Sequence, residues 1–370
     1  MASVGDGSSF LTTAQKTALE NTVSSLACHG KGITACDESA GTIGKRFEAV
    51  GITNTEENRR SYRQMLFTAP HCETYLCGAI LDPETLLQKS NDGTLFPRLL
   101  ADRGIVPGVK PHLKVYTLPG TGGDTVMQGL DSLAVRCKKY YDEGARFAKW
   151  RSPITIDTSS GRPTDLAIRA NMSDLARYAL ICQSEGLMPI VEPDVVLSGS
   201  HTLEESISVN TRVLAELFKQ LTDHRVYMPG CTLKTNIINP GKDCPISYTV
   251  NDIAKANVAV LEQTLPVAIR TVNYLSGGQS LNDAVARLSA INQLNTRGPW
   301  NLSFSWSAAF QLPLLDLCKG KGGLLQLDAM RALYINELKM ASAAAKGEWN
   351  GEGGEGDGDH KGDKKRKFDH

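Results

Sequence analysis

Charged residues of both signs recur at corresponding points along this chain. Asp37, Lys110, Glu192 and Lys234 each close a short, largely apolar run, and Lys149 and Arg151 stand two apart at the end of another. Residues i and i+2 of a strand share a face, so Lys149 and Arg151 point one way, as do Ile190 and Glu192. Alone, any of these charges would mark no more than a solvated strand end. Together they form a chemical pattern, which Lys45 and Arg46 beyond the first run enlarge into a local positive well. Its natural ligand is a small anion, most simply a phosphate ester. Neighbouring lysines also disfavour each other's protonation and partial burial adds desolvation, so one amine can become a free-base nucleophile near neutral pH. An uncharged lysine beside carboxylates is what imine formation with a ketone requires, and Asp37 and Glu192 could move the protons.

The elements that must hold these groups follow a rhythm. Strands are expected at 32–37, 75–82, 105–110, 146–151, 187–192, 226–234, 271–276 and 301–306. Amphipathic helices are expected between most of them, including 125–143, 163–185, 202–222 and 249–264, after a first helix over 11–28 with Thr12 or Thr13 as its cap. Pro163 suits a first helical turn, and Gly144 and Gly186 suit C-terminal stops. Eight strands alternating with helices, without internal repeat, favour an α/β fold of the (β/α)8 (TIM) barrel class over an open doubly wound sheet, although periodicity alone does not show closure. In such a barrel the reactive groups sit where strands end. Ser276-Gly277-Gly278-Gln279-Ser280 opens a helix after the seventh strand, where exposed N–H groups make a phosphate cradle. Gly120–Gly123 reads as a connecting loop.

Composition sets the limits. The chain has 370 residues, 41% of them hydrophobic, with zero formal net charge. That length suits one barrel domain over 11–346, and the balance of charge points neither to nucleic acid nor to an anionic membrane surface. Nine scattered cysteines without a C-x-x-C pair read as free thiols in a reducing, cytoplasmic setting, and seven dispersed histidines offer no metal motif. No apolar run is long enough to span a bilayer and the N-terminus lacks a signal pattern. Residues 1–10, rich in Gly and Ser, are expected to be flexible. Residues 347–370, dense in Gly, Asp, Glu and Lys, are expected to be a disordered charged tail.

Several long stretches in order, from about Leu11 to Lys346, resemble class I fructose-bisphosphate aldolases. They are Asp37-Glu38-Ser39 with Lys45-Arg46, 54–60, Phe147-Ala148-Lys149-Trp150-Arg151, Pro189-Ile190-Val191-Glu192-Pro193, Leu233-Lys234 and 275–280. The resemblance implies a β/α barrel, a homotetramer, and reversible cleavage of fructose 1,6-bisphosphate to dihydroxyacetone phosphate and glyceraldehyde 3-phosphate, without metal or other cofactor. Under it, Lys234 is the imine-forming lysine and Glu192 the acid/base of carbinolamine dehydration. Asp37 works on the C4 hydroxyl, and Lys149 supports charge and proton transfer. Ser39, Thr42, Lys110 and Arg151 fall where the family handles substrate hydroxyls and one phosphate, Ser276 and Gly277 fall at the other, and Ser305 joins the substrate-binding set by the same correspondence.

The chain also departs from that pattern. Where the family reads F-S-Y-G-R-A-L-Q, this sequence reads Phe304-Ser305-Trp306-Ser307-Ala308-Ala309-Phe310-Gln311, so a phosphate-clamping arginine is Ala308. Losing one charge-assisted contact costs about 1.5–3 kcal/mol. Thr235 replaces a proline, Asp194 a glutamate, and Pro111-His112 the V-D of a K-V-D, while the closing C-terminal tyrosine is absent. Two functions follow: a working aldolase, or a drifted relative serving as a binding or scaffold subunit. A metal-dependent aldolase is opposed by the scattered histidines.

Overall fold

The computed structural model describes residues 10–351. The loose N-terminus and most of the charged tail expected from sequence lie outside the described residues. Eight parallel strands close a barrel: β1 (Gly32–Cys36), β2 (Leu76–Leu81), β3 (Val106–Val109), β4 (Phe147–Ile154), β5 (Met188–Val195), β6 (Thr232–Asn236), β7 (Thr271–Leu275) and β8 (Asn301–Trp306). Each pairs with its neighbours in sequence, and β1 pairs with β8 through Ile33 and Ser305. The question that periodicity left open is decided for the closed barrel.

The larger helices are α1 (Thr13–Leu26), α2 (Ala40–Glu48), α3 (Glu56–Thr68), α4 (Leu133–Asp142), α5 (Asp165–Ser184), α6 (Leu203–Asp223), α7 (Val250–Thr264), α8 (Leu281–Leu294), α9 (Ala308–Asp316) and α10 (Leu327–Ala345). Most begin at a Ser or Thr whose side chain accepts from a backbone N–H two or three residues into the helix. Thr12, Thr202 and Thr249 form full capping boxes with Gln15, Glu205 and Asp252. Gly144 and Gly186 follow the ends of α4 and α5 with φ of 110° and 82°, a conformation that side-chain-bearing residues rarely adopt. Several expectations need correction. The strand expected over 226–234 begins only at Thr232, because Met228–Gly230 forms a 3-10 turn, and β4, β5 and β6 run past 151, 192 and 234 to Ile154, Val195 and Asn236. The helix drawn over 125–143 begins only at Leu133, and Thr125–Met127 is a strand paired antiparallel with Val115–Thr117, so Gly120–Gly123 is a hairpin turn. β-branched Thr125 and Val126 favour extended backbone, and Gly129 at φ 124° interrupts any helix there.

Alternation along the strands divides the core. Outward residues such as Val109, Ala148, Val191, Leu233 and Val272 pack under the helices. Inward residues at the N-terminal end of the barrel, Ile33, Phe147, Met188 and Ile190, pack with Leu19, Val23 and Leu26 of α1, which plugs the bottom. The packing is close: a Cβ on Gly108 would lie 2.2 Å from the Phe147 ring. The inward residues of β6 to β8 are polar instead, namely Thr232, Lys234, Thr271, Asn273, Ser303 and Ser305, all buried. One end of the barrel is therefore plugged and the other is chemically active.

On α10, Glu337 is 2% exposed, its Oε2 has no partner, and burial raises its pKa to about 9. A buried acid with a raised pKa contributes most below the unfolded value of about 4.3, and that contribution is lost as pH rises toward the folded value. Glu337→Gln is therefore expected to raise the melting temperature at pH 8 and to leave it nearly unchanged at pH 4. The gain grows by about 1.4 kcal/mol per pH unit across that window. A melting temperature lowered at pH 8 would show that the ionised carboxylate is needed.

Candidate active site

The register of neighbouring strands sets one ring of charges at the C-terminal rim. Cys36 pairs with Leu81, Leu81 with Val109 and Val109 with Ala148, so the next residues along, Asp37, Asp82, Lys110 and Lys149, come level. Val191 pairs with Leu233, bringing Glu192 level with Lys234. The inward phase of each strand turns these side chains into the mouth.

They form a continuous polar chain. Lys149 Nζ lies 2.8 Å from Asp37 Oδ2 and 3.1 Å from Glu192 Oε2, and Lys234 Nζ lies 3.4 Å from Glu192 Oε1. Lys149, Glu192 and Lys234 are each less than 5% exposed. In that setting the two lysines part ways. Burial lowers the Lys234 pKa, opposed by Glu192 and helped by the charge of Lys149. Burial also works against protonated Lys149, but Asp37 and Glu192 outweigh it and hold that ammonium above its usual range. Burial disfavours ionised Asp37 too, yet Lys149, Lys110 and Lys234 overcome it and keep the carboxyl well below the carboxylate range. Paired titratable groups with pKa values pushed apart are the mark of acid/base machinery. The arrangement offers an amine biased toward the free base, a carboxylate within reach of it, and a permanent cation linking that carboxylate to a second one.

The other expected residues lie around this chain. Lys110 Nζ is 3.0 Å from Asp82 Oδ2 and donates to the Asp37 carbonyl at 2.7 Å. Arg151 Nε donates to Asp194 Oδ2 at 2.7 Å. Ser39 caps α2 by accepting from the Thr42 N–H, and the two hydroxyls are 3.1 Å apart. Lys45 is exposed on the same helix, whereas Arg46 turns back to Glu38 at 3.0 Å. Buried Ser276 and Gly277, at φ 56°, make the turn after β7, and the Ser276 carbonyl accepts from Gln279 N at 3.0 Å. Ser305 Oγ is buried without a partner. The expected positive well is corrected here. Arg46, Lys110, Lys149 and Arg151 each have a carboxylate within 3.1 Å, so the rim is close to charge-balanced. Burial explains this, because unpaired charge near the barrel axis would carry a large desolvation cost.

A family model described as fructose-bisphosphate aldolase class-I matches residues 18–367. The chain belongs to the class I fructose-bisphosphate aldolases. It is 45% identical over 332 residues to a fructose-bisphosphate aldolase of Dictyostelium discoideum, covering 90% of this chain and 92% of that one. It is 46% identical over 311 residues to fructose-bisphosphate aldolase C of Carassius auratus, covering 84% and 85%. A Plasmodium falciparum fructose-bisphosphate aldolase, solved in complex with TRAP and a small-molecule inhibitor, superposes with a TM-score of 0.88 at 40% identity, covering 92% of this chain and 97% of that one.

The aldolase mouth also holds residues that were not assigned to the site from sequence, Asp194 and His112 having stood out only as departures from the family pattern. Asp82 partners Lys110, and Asp194 partners Arg151; both follow the same strand-end logic as Asp37 and Glu192. Asn273, level with Lys234 across β6 and β7, is fully buried with Oδ1 unpartnered, and an asparagine inside a strand was its signal. His112 stands edge-on to Trp150, with ring centroids 5.9 Å apart and both ring nitrogens buried and unpartnered. Burial, then Lys149 and Lys110, push its pKa well below the imidazole range.

Proposed function

We propose that this class I aldolase performs its chemistry through Lys234, with Glu192, Lys149 and Asp37 sharing the proton transfers. The activity is reversible cleavage of fructose 1,6-bisphosphate to dihydroxyacetone phosphate and glyceraldehyde 3-phosphate. The observation that carries the assignment is the buried chain Lys234–Glu192–Lys149–Asp37, in which only the terminal amine is biased toward its uncharged form.

In the proposed sequence the Lys234 amine adds to the C2 ketone, and Glu192 supplies the proton that lets water leave, giving the imine. Asp37 takes the proton of the C4 hydroxyl while the C3–C4 bond breaks into the protonated imine. The aldehyde product departs, and the enamine left behind is protonated at C3 and hydrolysed. Lys149, permanently charged between the two carboxylates, keeps Asp37 ionised and steadies the charge moving through Glu192. Ser39, Thr42, Lys45, Arg46, Lys110 and Arg151 are proposed to meet hydroxyls and one phosphate, and Ser276, Gly277 and Ser305 the other. A scaffold role is not favoured, since the relatives are named as aldolases and the acid–amine chain is complete.

The deciding assay is steady-state cleavage of fructose 1,6-bisphosphate beside fructose 1-phosphate in excess chelator. Turnover that survives the chelator supports metal-independent imine catalysis; folded protein that cleaves neither sugar overturns it. The lowered Lys234 pKa gives a second expectation. Borohydride inactivation with dihydroxyacetone phosphate should reach its plateau at a pH below the ordinary lysine value of about 10.4. A midpoint at or above that value would contradict the free-base assignment.

We also propose a homotetramer working in the cytosol. The Arabidopsis thaliana relative named fructose-bisphosphate aldolase 4 is called cytosolic. Exposed Leu113, Val115 and Tyr116 on and beside the hairpin offer apolar surface that association would cover. A solution mass four times the 40.0 kDa chain is the expected result, and a monomer would refute it.

A further inference from the structure

Arg46 is tied into the rim at three points. Its Nη1 donates to Glu38 Oε1 at 3.0 Å, to Ser307 Oγ at 3.1 Å and to Gln311 Oε1 at 2.8 Å. The Ser307 hydroxyl donates to the same Glu38 oxygen. Gln311 is tied down in turn, because its Nε2 donates to the Ala35 carbonyl of β1 at 2.8 Å. The Glu38 backbone carbonyl accepts from Arg63. Glu38 is only 8% exposed, so solvent ions screen this pair weakly.

The cluster lies at the mouth. Glu38 follows β1, Ser307 follows β8, and these strands are neighbours in the barrel. β8 in turn neighbours β7, whose end carries Ser276 and Gly277. The guanidinium is thus held at the rim beside Ala308, at the start of α9, with its charge cancelled by a carboxylate that Ser307 holds in place. A free guanidinium there would attract a phosphate dianion over several ångströms, whereas a neutralised pair acts only as a short-range dipole.

Resting on the reading of this mouth as a sugar-phosphate site, we propose that Glu38, steadied by Ser307, is a specificity-determining residue that neutralises Arg46 and thereby weakens the grip of the mouth on the substrate's phosphate. Glu38 acts through Arg46 and is a positioning residue, without contact to the reacting atoms. Ser307 contributes by holding the carboxylate oxygen against Nη1, so the two side chains set one property together.

The test compares KM, kcat and competitive inhibition by inorganic phosphate for the unmutated protein, Glu38→Gln and Ser307→Ala, at low and high ionic strength. Glu38→Gln keeps an oxygen for Arg46 and removes the negative charge. It is expected to lower KM for fructose 1,6-bisphosphate and Ki for phosphate about tenfold at low ionic strength, with a smaller change in kcat and with the gain fading as salt rises. Ser307→Ala should shift both constants the same way by a smaller factor, and it carries the test if Glu38→Gln does not fold. A merely structural role would raise KM or lower kcat. Unchanged or weakened phosphate binding in a folded variant overturns the proposal. Absence of turnover in the unmutated protein overturns the catalytic reading instead, while phosphate binding to the variants still reports on Glu38.

Discussion

Lys234→Met is expected to remove cleavage of fructose 1,6-bisphosphate almost entirely, lowering kcat by about 10⁵-fold, on the scale of losing a covalent nucleophile. Methionine fills much of the lysine's volume and adds no charge, and Glu192 keeps its contact with Lys149 at 3.1 Å. The variant should therefore fold. The direct readout is covalent. Borohydride reduction with dihydroxyacetone phosphate should add one adduct to the unmutated chain, mapping to Lys234, and none to the variant. Turnover within tenfold of normal, or an adduct on Lys149, would show that the wrong amine has been assigned. Lys149 is the informative competitor because it stands in the same chain, but two carboxylates hold it protonated.

Lys149→Met should strike stability and activity together. The ammonium sits between Asp37 and Glu192, so its removal leaves two buried carboxylates facing one another. Breaking a buried pair in this way costs about 3–5 kcal/mol. The same change removes the group proposed to support proton transfer, for a further loss of about 10²–10⁴-fold in kcat. The stability deficit should shrink in acid. Asp37 has a depressed folded pKa, so its contribution is present above the unfolded carboxylate value of about 3.9 and is lost as pH falls from there toward the lower folded value. Denaturant unfolding at pH 7 and pH 3 would measure the narrowing; a deficit that grows in acid would refute the pairing. Lys149→Arg should recover stability more than activity, because a planar guanidinium does not place one ammonium between two acids.

Much of this was readable from the chain. The two-residue period assigns Asp37, Lys110, Lys149, Glu192 and Lys234 to one face; Asp37 and Lys110 stand just past their strands as expected, whereas β4, β5 and β6 run on past Lys149, Glu192 and Lys234. The cap expected at Thr12 or Thr13 located the start of the first helix. The helix drawn over 125–143 failed because its first residues carry extended backbone into a hairpin, which a period read over a long window blurs. The charge of the rim was misjudged for a different reason. The cations were visible at strand ends, but Asp82, Asp194 and Glu38 become their partners only when neighbouring strands come into register.

Residue types and their spacing alone determined the alternating architecture, the plane of reactive groups, and the pairing of an amine with carboxylates, because these depend on local periodicity. Barrel closure, the bias of Lys234 rather than Lys149 toward the free base, and the pairing of Arg46 with Glu38 were decided only in three dimensions. Lys149 and Lys234 are the same residue type, and both are buried inside a barrel strand. What separates them is that two carboxylates converge on one and a single carboxylate at 3.4 Å approaches the other. Electrostatic free energy depends on distances through the folded protein, and those distances are set by strand register and packing.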